Sequence, residues 1–329
     1  MDPSHTFVSP ESGLRSPEAL ARDTLNSIVH DRDRIDQDHS AALSQKILSA
    51  CIDSRSSAEL RGRATLAHRA HLNLISAEGA GLWLQATPSA VAGLNNEPAI
   101  YVAMLRRWLR VPFASKDSIC PSCEGWLDSF GDHALTCCCG GDRTRRHNLI
   151  RNAAYHAAAA ARLDPELEKP GLLPQRMSAG SSYDNGASTG ASDGDASFRR
   201  PADVYIPRWQ RGPPAAWDFA VTSGLRLECL SDAVQDPARI ATRYEDLKCS
   251  FKDTRDACQA QGISFVPMVV EATGGGWGKS ARCVWSKLAK STSLSRGELE
   301  TESTCAIHFL QRLSMVLHRE NARACLRRF

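Results

Sequence analysis

Two sets of side chains in this sequence have the types and spacing to do chemistry. Cys120 and Cys123 are two residues apart, His133 follows after nine more, and Cys137, Cys138 and Cys139 close the segment. Four soft or borderline ligands in one short loop suit tetrahedral zinc, and a site filled by four protein ligands is structural rather than catalytic. Cys120, Cys123 and His133 are three of the expected ligands, and the fourth is Cys138 or Cys137, because both spacings from His133 are sterically possible. The second set is Asp203 and Asp218, with fourteen residues between them. If two adjacent strands carry them, a hairpin brings the carboxylates together, and close carboxylates repel unless a cation neutralises them. Magnesium held by both, activating a water against a phosphodiester, is the chemistry this pair suggests. Lys248 on the following helix can position that water or neutralise charge developing on the phosphate, with Lys252 one turn later as its rival. The plainer alternative is that each Asp caps a turn or pairs with Arg199, Arg200 or Arg208. Between the two sets lies a run without an acidic residue, carrying Arg143, Arg145, Arg146, His147 and Arg151. It predicts a phosphate-binding, nucleic-acid-facing surface.

The elements that must position these groups can be read from pattern. Ala202 to Trp209 and Ala215 to Thr222 predict strands separated by the turn-forming Gly212-Pro213-Pro214. A helical stretch runs from about Asp236 to Gln261 and stops at Gly262, a helix-ending residue. Phe265 to Glu271 predicts a third strand, followed by a turn at Gly274-Gly275-Gly276-Trp277 and a helix through Cys283 to Leu288. Upstream, Asn148 to Leu163 is alanine-rich and helical, and Tyr101 to Leu109 forms an amphipathic helix stopped by Pro112. The first hundred residues read as helices with polar links, and the last forty as a helix with basic residues at its end. Ser178 to Ser197 holds almost nothing but small polar residues and predicts a flexible insertion.

Composition narrows the class. With 42% hydrophobic and 23% charged residues, the chain can bury a real core, which excludes collagenous and disordered proteins. No run reaches the about eighteen apolar residues of a membrane span, and Met1 to His5 lacks the start of a secretory signal, so no membrane partner is expected. Five of the twelve cysteines fall between Cys120 and Cys139, which predicts a metal site in a reducing compartment rather than a disulfide framework. A formal charge of +3 is too small to imply a polyanion partner by itself.

The strand and helix order with the acidic pair resembles the PD-(D/E)XK nuclease fold. More narrowly, Cys120-x-x-Cys123 to His133-x-x-x-x-Cys138, Arg146-His147-Asn148, Arg200-Pro201-Ala202-Asp203, Asp218 and Lys248 resemble the restriction-enzyme-like endonuclease region at the C-terminal end of site-specific non-LTR retrotransposon polyproteins. The resemblance spans roughly residues 80 to 290. Ala202 interrupts the family's Pro-Asp pair while Asp203 is retained, and Ala220 stands where the broader fold has its lysine. In the resembling family that lysine has moved to the helix, which favours Lys248. Glu168 and Glu271 are further carboxylates near the expected metal, or structural ones. The resemblance implies an α/β chain with four parts: a helical N-terminal region (1–115), a CCHC-type zinc knuckle (116–145), a restriction-endonuclease-like domain (146–290) with a flexible insertion (178–198), and a C-terminal helix (291–329). It implies a nuclear, magnesium-dependent DNA endonuclease with structural zinc, acting on DNA and, as a second candidate, RNA. The alternative is a catalytically decayed nucleic-acid-binding remnant. No Tyr-x-Asp-Asp polymerase signature occurs in the chain.

Overall fold

Ala215–Thr222 (β5) is apolar along almost its whole length, the pattern of a strand buried on both faces, and it lies inside a four-stranded sheet. The computed structural model describes residues 22–23, 26–27, 45–174, 201–210, 212–295 and 302–329; the expected insertion at 178–198 lies outside them. The chain forms two units, residues 1–65 and 66–329. In the first, Gln45–Arg63 is a helix (α1). The second begins with Leu66–Ile75 (α2) and Pro98–Trp108 (α3). A two-stranded hairpin, Ser118–Ile119 (β1) with Trp126–Leu127 (β2), leads to the short helix Asp132–Thr136 (α4) and then Asp142–Ala160 (α5). The sheet strands are Glu166–Leu167 (β3), Val204–Ile206 (β4), β5 and Ser264–Glu271 (β6). Leu230–Gln235 (α6), Ala238–Ser250 (α7) and Thr254–Ala260 (α8) cross over from β5 to β6. Lys279–Ser295 (α9) and Glu302–Leu326 (α10) follow. Among the described residues, no helix is long and apolar enough to cross a membrane.

The sheet order is β3-β4-β5-β6, with β3, β4 and β5 antiparallel and β5-β6 parallel, so the protein is mixed α/β. Alternation along β5 sends its side chains to two cores. Trp217 and Phe219 join Ile150 of α5, Trp285 and Leu288 of α9 and Leu313 of α10 on one face. On the other, Ala216 packs with Cys249, Cys258 and Phe265, and Ala220 with Ala241 and Val269. Pro267 is tolerated in β6 because that strand lies at the edge of the sheet among the described residues, with no strand beyond it at that position.

Two expected elements differ. The strand expected over 202–209 shrinks to Val204–Ile206, since Pro207 has no N–H to continue the ladder. The helix expected over 236–261 breaks at 251–253, where Lys252 (φ 51°) and Asp253 (φ 50°) are both left-handed. Hydroxyls compete with the helix on either side of the break: Ser250 Oγ donates to the Asp246 carbonyl at 3.0 Å, and Thr254 Oγ1 to that of Phe251 at 2.6 Å.

Candidate functional site

The cysteine segment folds around its own side chains. The β1–β2 hairpin presents Cys120 and Cys123 at its turn, where the Cys120 N–H donates to the Gly125 carbonyl at 2.8 Å. His133 lies in α4 and Cys137 directly follows it, one helical turn on, so both face the hairpin. One ligand atom from each of Cys120, Cys123, His133 and Cys137 lies within 4.8 Å of the others, and Cys123 Sγ is 3.2 Å from His133 Nε2. This corrects the expected fourth ligand. Cys138 is exposed, one residue past the turn that aims Cys137 inward, and its Sγ sits 3.9 Å from that of Cys139. Three thiols and an imidazole at these distances have the donor set to hold a zinc ion.

Their acidities point the same way. Around Cys120 desolvation opposes ionisation, but hydrogen bonds from Ser122, Cys123 and His133 prevail and bring its pKa to about 6. Cys123 also has a backbone hydrogen bond, from Gly125, favouring its thiolate, yet desolvation and the neighbouring Cys137 and Cys120 drive its pKa to about 11. One thiolate is welcome in this cluster and a second is not, which is the electrostatic situation a bound cation relieves.

Residues outside the ligand set hold the segment in place. Asp128, three residues ahead of the Gly131 N-cap of α4, accepts the N–H groups of Phe130 and Asp132 on Oδ1 and of His133 on Oδ2, pairing donors that the helix start leaves free. Asp132 pairs with Arg107 at 2.6 Å and Arg110 at 2.8 Å. Burial alone would raise the Asp132 pKa, but these guanidiniums hold it well below the usual carboxylate range. From the C-terminal end, Arg328 donates to the Cys139 carbonyl at 3.1 Å and to Asp142 at 2.6 Å. Sequence reading missed these fasteners. The signal for Asp128 was present, a capping-type residue ahead of a short helix, whereas contacts from residues 107 and 328 carry no local signal.

The acidic pair comes from the β4–β5 ladder. Val204 is paired with Trp217, so the same antiparallel register, one step further, sets Asp203 opposite Asp218 on one face. Asp203 Oδ2 accepts the Phe219 N–H at 2.6 Å, and its Oδ1 is 3.2 Å from His147 Nε2. Asp218 Oδ2 is 2.8 Å from Lys248 Nζ, which reaches down from α7. Burial pushes the Asp218 pKa up to about 6; Lys248 opposes the rise and the Asp203 charge adds to it. Asp218 and Lys248 line a cleft of about 290 Å³ together with Phe251, Lys252 and Pro201.

The other expected site residues divide. Arg143 is exposed, and its side chain has no hydrogen bond or ion pair among the described residues. Arg145 is half-exposed and pairs with Glu320 at 2.8 Å. Arg146 does not face solvent: it is buried, donating to Asn321 at 2.6 Å and to the Leu135 carbonyl at 2.9 Å. Desolvation and the neighbouring Arg143 lower its pKa to about 10. Its expected role on a nucleic-acid surface is therefore replaced by a structural one, because α5 turns this position toward α10. His147 lies at Asp203, and Arg151 pairs with Glu168. Glu271 is a structural carboxylate, buried and accepting the N–H groups of Gly224, Thr273 and Gly274. No protein-family model and no curated protein matches the chain.

Proposed function

We propose that this chain is a metal-dependent DNA endonuclease with a restriction-endonuclease-like core, akin to the nuclease region of site-specific non-LTR retrotransposon polyproteins, and that it acts in the nucleus. The observation that carries the reading is the constellation of Asp203 opposite Asp218, with Lys248 at 2.8 Å from the latter. Further support comes from the sheet, antiparallel from β4 to β5 and parallel from β5 to β6, with helices on both faces. Ala220 packs against Ala241, Val269 and Tyr244, so the lysine beside the acidic pair is the one from α7.

Paired carboxylates are the kind of donor that magnesium takes. Two carboxylates face one another, and Asp218 Oδ1 has no hydrogen bond among the described residues. Asp203 and Asp218 would hold the ion, which supplies Lewis acidity and a more acidic bound water. The chain's own groups do the rest. The Phe219 N–H and His147 fix the two oxygens of Asp203, so that carboxylate is oriented before any ligand arrives. Lys248 spends one of its three ammonium protons on Asp218 and has others to hold the attacking water or to offset charge on the phosphate. Cys120, Cys123, His133 and Cys137 would hold zinc, which would brace the knuckle, and Arg143 and Arg145 face the backbone of DNA or, as the second candidate, RNA.

Nicking of supercoiled plasmid in magnesium should disappear in Asp203→Ala, and full activity in that variant would defeat the reading. A second reading is a non-catalytic nucleic-acid-binding remnant. It is favoured by the contacts from Lys248 to Asp218 Oδ2 and from His147 to Asp203 Oδ1, which offset part of the charge of both carboxylates without a metal. Such a remnant binds DNA with steep salt dependence and yields no cut product under any divalent ion.

A further inference from the structure

The break between α7 and α8 lies against the acidic cleft. Lys252 and Asp253 are consecutive non-glycine residues with left-handed backbones, a conformation that survives only where surrounding contacts hold it, and one that gathers at functional sites. The holding contacts are present. Thr254 Oγ1 donates to the Phe251 carbonyl at 2.6 Å, and Arg255 on α8 reaches back to Cys249 Sγ on α7 at 2.5 Å. The break delivers Phe251 and Lys252 to the wall of the cleft that holds Asp218 and Lys248. Phe251 is 59% exposed, a large apolar ring left in water at the mouth of a charged cleft. Lys252 Nζ lies 5.3 Å from the centre of that ring, so an aromatic face and an ammonium are offered side by side.

We propose that Phe251 and Lys252 grip the nucleotide beside the scissile phosphate, Phe251 stacking on its base and Lys252 meeting its phosphate; this rests on the endonuclease reading above. An aromatic face and an adjacent cation complement the two ends of a nucleotide. A base can lie on Phe251 only when it has left the duplex stack, so the preferred substrate is DNA with an unpaired base at the cleavage flank.

The test measures binding, in calcium, of a labelled duplex carrying a short unpaired bubble and of its fully paired counterpart. The full chain, Phe251→Ala, Phe251→Trp and Lys252→Gly are compared. The unaltered chain should prefer the bubble by on the order of tenfold. Phe251→Ala should lose that preference, and Phe251→Trp should keep it. Lys252→Gly should melt at a higher temperature, because glycine accepts the left-handed backbone without strain, yet bind with a salt slope shallower by about one. Equal bubble preference in Phe251→Ala, or a lower melting temperature with unchanged binding in Lys252→Gly, overturns the proposal. If the bubble preference depends on Phe251 but magnesium yields no cut product, the grip stands and the endonuclease reading fails. Cutting in which Phe251→Ala is indistinguishable from the unaltered chain gives the reverse result.

Discussion

The four zinc-competent side chains all come from residues 120–137, whereas Asp203, Asp218, Lys248 and His147 are brought together from α5, β5, α7 and the approach to β4. The first site has little regular structure of its own, two strands of two residues and a helix of five, and is tied to the rest of the unit through Asp132 and Arg328. Its sulfurs favour one thiolate and resist the next, a charge balance that a zinc ion in this donor set would relieve. The second site stands on a sheet packed on both faces, and that packing forces two carboxylates together whether or not a cation is present. Burial first, and the Asp203 charge after it, raise the Asp218 pKa to about 6 from an ordinary 3.8, so its ionised form opposes folding at neutral pH. One site has the donor set to gain stability from a bound zinc ion, and the other is assembled by the rest of the molecule at a cost to stability.

The largest effect that could break this comparison is at the knuckle. Cys137→Ser should lose the bound zinc and open residues 116–139 to protease, since structural zinc supplies on the order of 10 kcal/mol in small zinc domains. Cys138→Ser should retain one equivalent by metal analysis; zinc loss in Cys138→Ser but not in Cys137→Ser would reverse the ligand assignment. The acidic site should respond in the opposite sense. Asp218→Asn should stabilise the metal-free chain by up to about 3 kcal/mol at pH 8, less whatever is lost by leaving Lys248 unpaired. The pH dependence follows from the direction of the shift. Because the folded pKa lies above the unfolded one, Asp218 disfavours folding progressively as pH rises from about 4 to 6, then stays constant. Melting curves should therefore show the Asn variant's advantage growing across that window and vanishing below it; a constant advantage would mean that the titrating group is another. The smallest effect is at the surface. Arg143→Ala should leave the melting temperature unchanged and reduce the salt slope of DNA binding by about one, and an unchanged slope would remove Arg143 from the interface.

The difference between the two sites also explains what the sequence disclosed. Strand β5 was legible to the residue because its apolar run is bounded by Pro214 and Ser223, and the opposition of Asp203 and Asp218 followed from a hairpin. The cysteine and histidine spacing was enough to find the knuckle but not to choose between Cys137 and Cys138, since that choice depends on where one short helix ends. Arg146 was misread because a basic run looks solvated until the helix beside it is known; α10, more than a hundred residues downstream, covers it. The break at 251–253 was hidden for a different reason. Nothing in Phe251-Lys252-Asp253 asks for a left-handed backbone, and contacts from Thr254 and Arg255 hold it there.

The central claim is that the Asp203–Asp218–Lys248 cluster cuts a phosphodiester, and it is met most directly by single-turnover nicking of supercoiled plasmid in magnesium. The full chain is compared with Asp218→Asn, each first shown to be folded by its melting transition. The unaltered chain should nick, and the variant should be slower by at least about a hundredfold, the scale of losing a metal-holding carboxylate. Equal rates for the two proteins would contradict it.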